Sequence, residues 1–282
     1  MNFVNHTDRD WLARKITTNG AETYSIDLTK YQIPHWEKLL RNNDIISTCP
    51  LFYNTTVNGS YRVAVQYLHS YPYENPVLYA RKVEKAIDAK HIIYLTAYKE
   101  YEKILKFMDM KAVHIPMSID STAICQYMGH KDNNNRIIYF GQIRANKKLL
   151  AVKIKEACKQ LGMTFDSISY NVFNGTTKLT QEEIYHTLTR YNYGIGVGRC
   201  AQEMMALGVK VLIGGIKFGG LMTNDEEYDK QLATNMNGRI ITYSPSIREC
   251  LENIDKSICR PNDIKLMNHA DMVYSAYPEL FN

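Results

Sequence analysis

The chain has 282 residues, 45% of them hydrophobic and 22% charged, and carries a formal net charge of +5. That length suits two domains of ordinary size, and the apolar share excludes a disordered or low-complexity chain. No apolar run approaches the roughly 18 residues of a membrane-spanning helix, and so diffuse a positive charge suits an anionic small ligand, leaving nucleic acid possible but not demanded.

Charges in the opening MNFVNHTDRDWLARK interrupt the place where a secretory signal needs its apolar core. Six cysteines with no CxxC pair fit reduced thiols, so a cytoplasmic location is expected. In chain order, short apolar runs alternate with amphipathic stretches, the pattern of α/β architecture. The first series predicts strands at 1–4, 21–28, 44–48, 62–68, 91–96 and 112–116, with helices from Trp11, over 35–41, 76–89 and 98–108. Residues 118–135 are polar, end in KDNNN and read as an irregular linker.

A second series follows. Strands are predicted at 136–140, 164–170, 193–197, 209–213 and 238–243, and helices at 146–161, 180–191, 199–207, 246–258 and 263–277. Thr180 with Glu183 three residues later predicts a capping box. The expected fold is α/β, with two Rossmann-like domains in tandem: residues 1–120, then 121–262, with 263–282 as a terminal helix.

Ligands of open α/β sheets bind beyond the carboxyl ends of strands, so the residues there are the candidates. After RIIYF comes Gly141, then Arg144, Lys147 and Lys148, where a turn and three cations could neutralise a diphosphate. In GVGRCAQEMMALG, Gly198 and Arg199 open a helix whose free N–H groups suit an anion, and Glu203 one turn later could accept from ribose hydroxyls. Gly214-Gly215 and Gly219-Gly220, with Lys217 between, predict a loop that approaches a ligand closely. His69 ends a strand as a possible base or donor; His6 and Asp8 are similarly placed, and Tyr71 and Tyr73 could stack on an acceptor. The histidines form no HExxH or HxH set, and no metal site is expected.

Taken in order, HIIYLT, AVHIPMSID, RIIYFGQIRANKK and GVGRCAQEMMALGVKVLIGG resemble the GT-B class of glycosyltransferases over 69–220, and in the C-terminal half its family-4-like members. The resemblance implies an N-terminal acceptor domain, a C-terminal domain holding a nucleotide-sugar donor, and a final helix that returns to the first domain. It implies that Arg144 and Lys148 contact the donor diphosphate without a metal, that Glu203 binds the ribose, and that the 214–220 loop lies near the sugar or its phosphates. It matches His69 to a histidine beside the transferred sugar. Retaining members carry a Glu-x7-Glu pair; the position eight before Glu203 is Ile195, so the first acid is absent.

The expected function is therefore metal-independent transfer of a sugar from a nucleoside diphosphate sugar, with no cofactor and an unidentified acceptor; a DNA-modifying enzyme is one sub-case. A nucleotide-sugar epimerase or hydrolase would use the same fold, as would a non-catalytic binder of nucleotide derivatives.

Overall fold

The computed structural model describes residues 15–18, 21–24, 32–41, 43–47, 57–68, 75–116, 119, 121–129, 131–132, 135–143, 145–169, 172–215, 218–238, 246–260 and 268–282. The chain divides into two compact units: Met1–Pro116 together with Asn268–Asn282, and Met117–Met267.

The first unit contains β1 (Lys15–Thr18), β2 (Ala21–Tyr24), α1 (Gln32–Leu39), β3 (Asp44–Ser47), β4 (Val57–Leu68), α2 (Pro76–Ala86), β5 (Ile87–Thr96), α3 (Lys99–Phe107) and β6 (Lys111–His114). β1 and β2 pair antiparallel, and every later neighbour is parallel, in the order β1-β2-β3-β4-β5-β6. This sequential order lacks the reversal of a Rossmann sheet among the described strands. The expected strand at 1–4 lies outside the described residues. Where a helix was expected from Trp11, residues 15–18 instead form a strand: β-branched Ile16, Thr17 and Thr18 favour the extended ladder with Ala21–Tyr24.

Alternation along these strands builds two cores. Ile46, Val63, Val65, Ile93, Leu95 and Val113 face Trp36 of α1 and Leu40 just after it. Ile45, Ala64, Tyr94 and Ala112 face Tyr79, Ala80 and Val83 of α2 and Leu105 of α3. α2 starts where Asn75 accepts from the Val77 amide at 2.9 Å, with Pro76 in the first turn.

The second unit contains α4 (Ser121–Cys125), β7 (Arg136–Phe140), α5 (Ala145–Gln160), β8 (Thr164–Ser169), β9 (Val172–Phe173), β10 (Thr177–Lys178), α6 (Gln181–Thr189), β11 (Tyr193–Gly196), α7 (Arg199–Ala206), β12 (Lys210–Gly214), β13 (Phe218–Gly220), α8 (Asp225–Ala233) and α9 (Ile247–Glu252). The expected irregular linker thus carries α4, whose Ile124 is buried in the core. A 3-10 turn, Ile254–Lys256, follows α9 where a continuous helix to 258 was expected. The strand order is β10-β9-β8-β7-β11-β12-β13, with β8, β7, β11 and β12 all parallel.

One face of this sheet (Ile138, Phe140, Val211, Ile213) packs on Ile184 and Leu188 of α6 and Met204 and Met205 of α7. The other (Ile137, Tyr139, Ile195, Leu212) packs on Ile154 and Cys158 of α5 and Leu251 of α9. Helices on both faces make a three-layer α/β/α unit. The capping box on α6 forms: Thr180 Oγ1 accepts from the Glu183 amide at 3.3 Å, and Glu183 Oε2 accepts from the Thr180 amide at 2.7 Å. α10 (His269–Ala276) belongs to the first unit, and places Ala270 and Val273 in the core beside Trp36 and Leu40.

Candidate functional site

The strand order of the second unit reverses at β7. The crossover through α5 leads to β8 on one side, and the chain later returns as β11 on the other. Two adjacent parallel strands whose connections leave in opposite directions open a crevice at their carboxyl ends. The glycine-bearing turns found in the sequence lie there.

β7 ends in Gly141 at φ 147°, a backbone conformation that disfavours any side chain. The Gly141 amide donates to the Ile168 carbonyl at 3.0 Å, and the Ile143 amide donates to Ser169 Oγ at 3.3 Å, so the turn is anchored on β8. Arg144 lies outside the described residues. Lys147 is half-buried and Lys148 is exposed, both in the first turn of α5.

β11 ends in Gly196. A β-carbon there would stand 3.1 Å from the Phe140 carbonyl oxygen and 2.8 Å from Met204 Cε, so only glycine lets β11, the end of β7 and α7 close to this separation. Gly198 caps α7 at φ 54°, ψ −130°, and is buried. A β-carbon on Gly141 would be 3.8 Å from Cys200 Sγ, and one on Gly215 would be 2.6 Å from Val197 Cγ1. The turns after β7, β11 and β12 are thus packed side by side.

Glu203 is 4% exposed. Its Oε1 accepts from Arg199 Nε at 2.7 Å, and the Tyr185 hydroxyl also donates to it. Burial raises the carboxyl above its ordinary value, against the opposing pull of Arg199 and Tyr185. The carboxylate expected to meet a ribose is therefore already engaged by protein donors. Arg199 projects outward, its side chain 58% exposed.

Gly219 and Gly220 differ from the expected loop. They form β13, antiparallel to β12, and a β-carbon on Gly219 would lie 2.8 Å from Gly238 Cα. Close packing explains that glycine; Gly214 and Gly215 remain at the carboxyl end of β12. Lys217, His6, Asp8, His69, Tyr71 and Tyr73 lie outside the described residues.

Three carboxamides with no sequence signature are buried: Gln202, Gln231 and Asn235, at 0%, 3% and 7% exposure. No motif marks them; a glutamine directly before Glu203 on the buried helix was the only available signal. Among the described residues, no three His, Cys, Asp or Glu side chains group as metal ligands, and no helix is long and apolar enough to cross a membrane. The five described cysteines carry free thiols. A cavity of about 690 Å³ in the first unit lies among Asp88, Lys90, His91 and Lys111, at the amino ends of β5 and β6, the opposite end from a sheet's ligand crevice.

No known protein family and no curated protein matches the chain. Among solved structures it is similar to the pneumococcal O-GlcNAc transferase GtfA in complex with UDP and GlcNAc, at 11% identity and a TM-score of 0.47. The alignment covers 91% of this chain and 61% of that one.

Proposed function

We propose that the chain is a GT-B-like glycosyltransferase that moves a sugar from a nucleoside diphosphate sugar to an acceptor in the cytoplasm, without a divalent ion or cofactor. The observation that supports this most is the reversal at β7 and β11, with the turns at Gly141, Gly196–Gly198 and Gly214–Gly215 packed together beyond it. Glycine-bearing turns beside the exposed Lys148 and Arg199 suit a diphosphate.

In this reading a nucleophilic atom of the acceptor bonds to the anomeric carbon as the bond from that carbon to the diphosphate oxygen breaks. The acceptor's proton passes to the diphosphate or to water, and the diphosphate departs with the electron pair. Arg144, Lys147 and Lys148 neutralise the charge that builds on it, while the start of α7 at Gly198 and Arg199 receives a phosphate. Glu203 exchanges part of its bonding with Arg199 and Tyr185 for a ribose hydroxyl. Gly214 and Gly215 let the backbone approach the sugar. The resemblance matches His69 to a histidine that acts on the transferred sugar, and His6, Asp8, Tyr71 and Tyr73 are the acceptor-side candidates.

Melting the protein with nucleoside diphosphates and their sugar derivatives tests this directly. A ligand at 100 times its dissociation constant adds about 2.7 kcal/mol of stability. No shift with any of them overturns the reading. A second reading, a binder of nucleotide derivatives without turnover, draws on Ile195: it is wholly buried against α5, where a retaining enzyme would carry its first acid. Binding without sugar release or transfer would favour it.

A further inference from the structure

β5 is covered only in part by β6. β4 pairs with β5 from Ile87 to Thr96, whereas β6 begins opposite Ile93. Residues Ile87–Ile92 therefore have a strand on one side and, among the described residues, none on the other. All of them line the cavity of about 690 Å³, with Met110 and Lys111 at its β6 end and Lys85 at the end of α2. The cavity occupies the track that a longer β6 would fill.

The outer edge of the same sheet is closed. The Tyr277 hydroxyl accepts from the Ala112 amide of β6 at 2.9 Å and donates to the Ala112 carbonyl at 3.1 Å. A side chain thus satisfies the peptide groups that the last strand turns outward, while alternate peptide groups of residues 87–92 face the cavity. An unpaired edge is a template for another extended chain. Residues 87–92 offer about 20 Å of it.

Charge selects what can enter. Glu84 pairs with Arg81 at 2.9 Å, and Asp88 accepts from the Ser60 hydroxyl. The side chains of Lys85, Lys90 and Lys111 have no such partner among the described residues, and Asp109 is the one unpaired acid set against them. The His91 imidazole in the groove is held below its ordinary value by burial first, then by Lys111, Lys90 and Arg62, against the pull of Glu279. Lysines along an open edge repel basic strands and admit acidic ones.

We infer that the first unit binds an acidic, extended segment of a partner protein, added as a strand beside residues 87–92. Backbone hydrogen bonds hold the segment, and Lys85, Lys90 and Lys111 select its carboxylates. The surface lies at the amino ends of the strands, so the inference stands or falls apart from the nucleotide reading.

The test uses a fluorescent octapeptide of alternating Glu and Val, its Lys-Val counterpart, and two forms of the acidic peptide methylated on every Val nitrogen or on every Glu nitrogen. Fluorescence anisotropy on the wild-type chain is expected to show binding of the acidic peptide and at least tenfold weaker binding of the basic one. One methylated form should lose at least tenfold and the other little, because only alternate N–H groups of an added strand meet the edge. The double variant Lys85→Glu, Lys90→Glu, changed at two exposed positions, is expected to melt like wild type and bind the acidic peptide at least tenfold more weakly. No binding of the acidic peptide at about 1 mM overturns the inference, as does equal binding of the two methylated forms. The methylated pair decides the matter on wild type alone, whether or not the double variant folds. A concentration-dependent dimer of wild type that the double variant does not form would give the edge to a second copy of the chain and overturn the partner assignment.

Discussion

The Tyr67 hydroxyl and His269 Nδ1 are hydrogen-bonded at 2.7 Å, tying the far end of the sequence to the central strand β4. The rings stand 5.8 Å apart between centroids. Burial lowers the His269 imidazole from 6.5 to about 4, so it stays neutral in the folded protein at neutral pH.

That shift has a sign. Between pH 6.5 and about 4 the unfolded chain binds a proton that folded His269 refuses, so stability falls as pH is lowered through this window. Above it the effect vanishes, and below it the loss is constant, on the order of 3 kcal/mol. His269→Gln removes this titration. The difference in unfolding free energy between wild type and variant is expected to change across pH 4 to 7; a constant difference refutes the assignment.

Gly196→Ala brings a methyl group to 3.1 Å from the Phe140 carbonyl oxygen and 3.3 Å from the Ala201 amide, both backbone atoms. Overpacking of this kind costs about 1–3 kcal/mol. The melting temperature is expected to drop by several degrees and diphosphate affinity to fall with it, because β7 and α7 are pushed apart at the crevice. Calorimetry with and without ligand checks both.

Arg144→Ala is expected to leave the melting temperature unchanged and to lower turnover about 10²–10³-fold, the usual loss for one group that stabilises developing charge. Unaltered turnover in a sugar-transfer assay would remove the leaving-group role.

Glu203→Gln keeps the shape of the side chain and removes its charge. Arg199, largely in solvent, tolerates the loss of its partner, so the fold should hold. Hydrogen bonds to a charged group contribute about 1.5–3 kcal/mol, which predicts at least a tenfold fall in nucleoside diphosphate affinity. The same affinity in wild type and variant would separate Glu203 from the ribose.

Signals confined to a few neighbouring residues were legible in the sequence. Thr180 and Glu183 announce α6, RIIYF and VKVLI announce β7 and β12, and the glycines at 196 and 198 mark a strand-to-helix turn. What the sequence hid depends on distant partners. Phe218–Gly220 reads as loop because its pairing with β12 and its contact with Gly238 are tertiary facts. α8 carries a readable cap, Asn224 accepting from the Glu227 amide at 3.0 Å, directly after the two glycine pairs. Asn235 lies against Gly198, a proximity that no local pattern encodes.

The first unit is assembled from both ends of the sequence, with Ala270, Val273, Leu280 and Phe281 sealing the core that Trp36 and Leu40 begin. On the ribosome the second unit emerges whole and can fold while the first still waits, its apolar sheet face only partly covered, by Trp36 and Leu40, until residues 268–282 arrive. Early termination just before Asn268 would therefore damage the part of the protein made first, and such products should be the ones that chaperones retain.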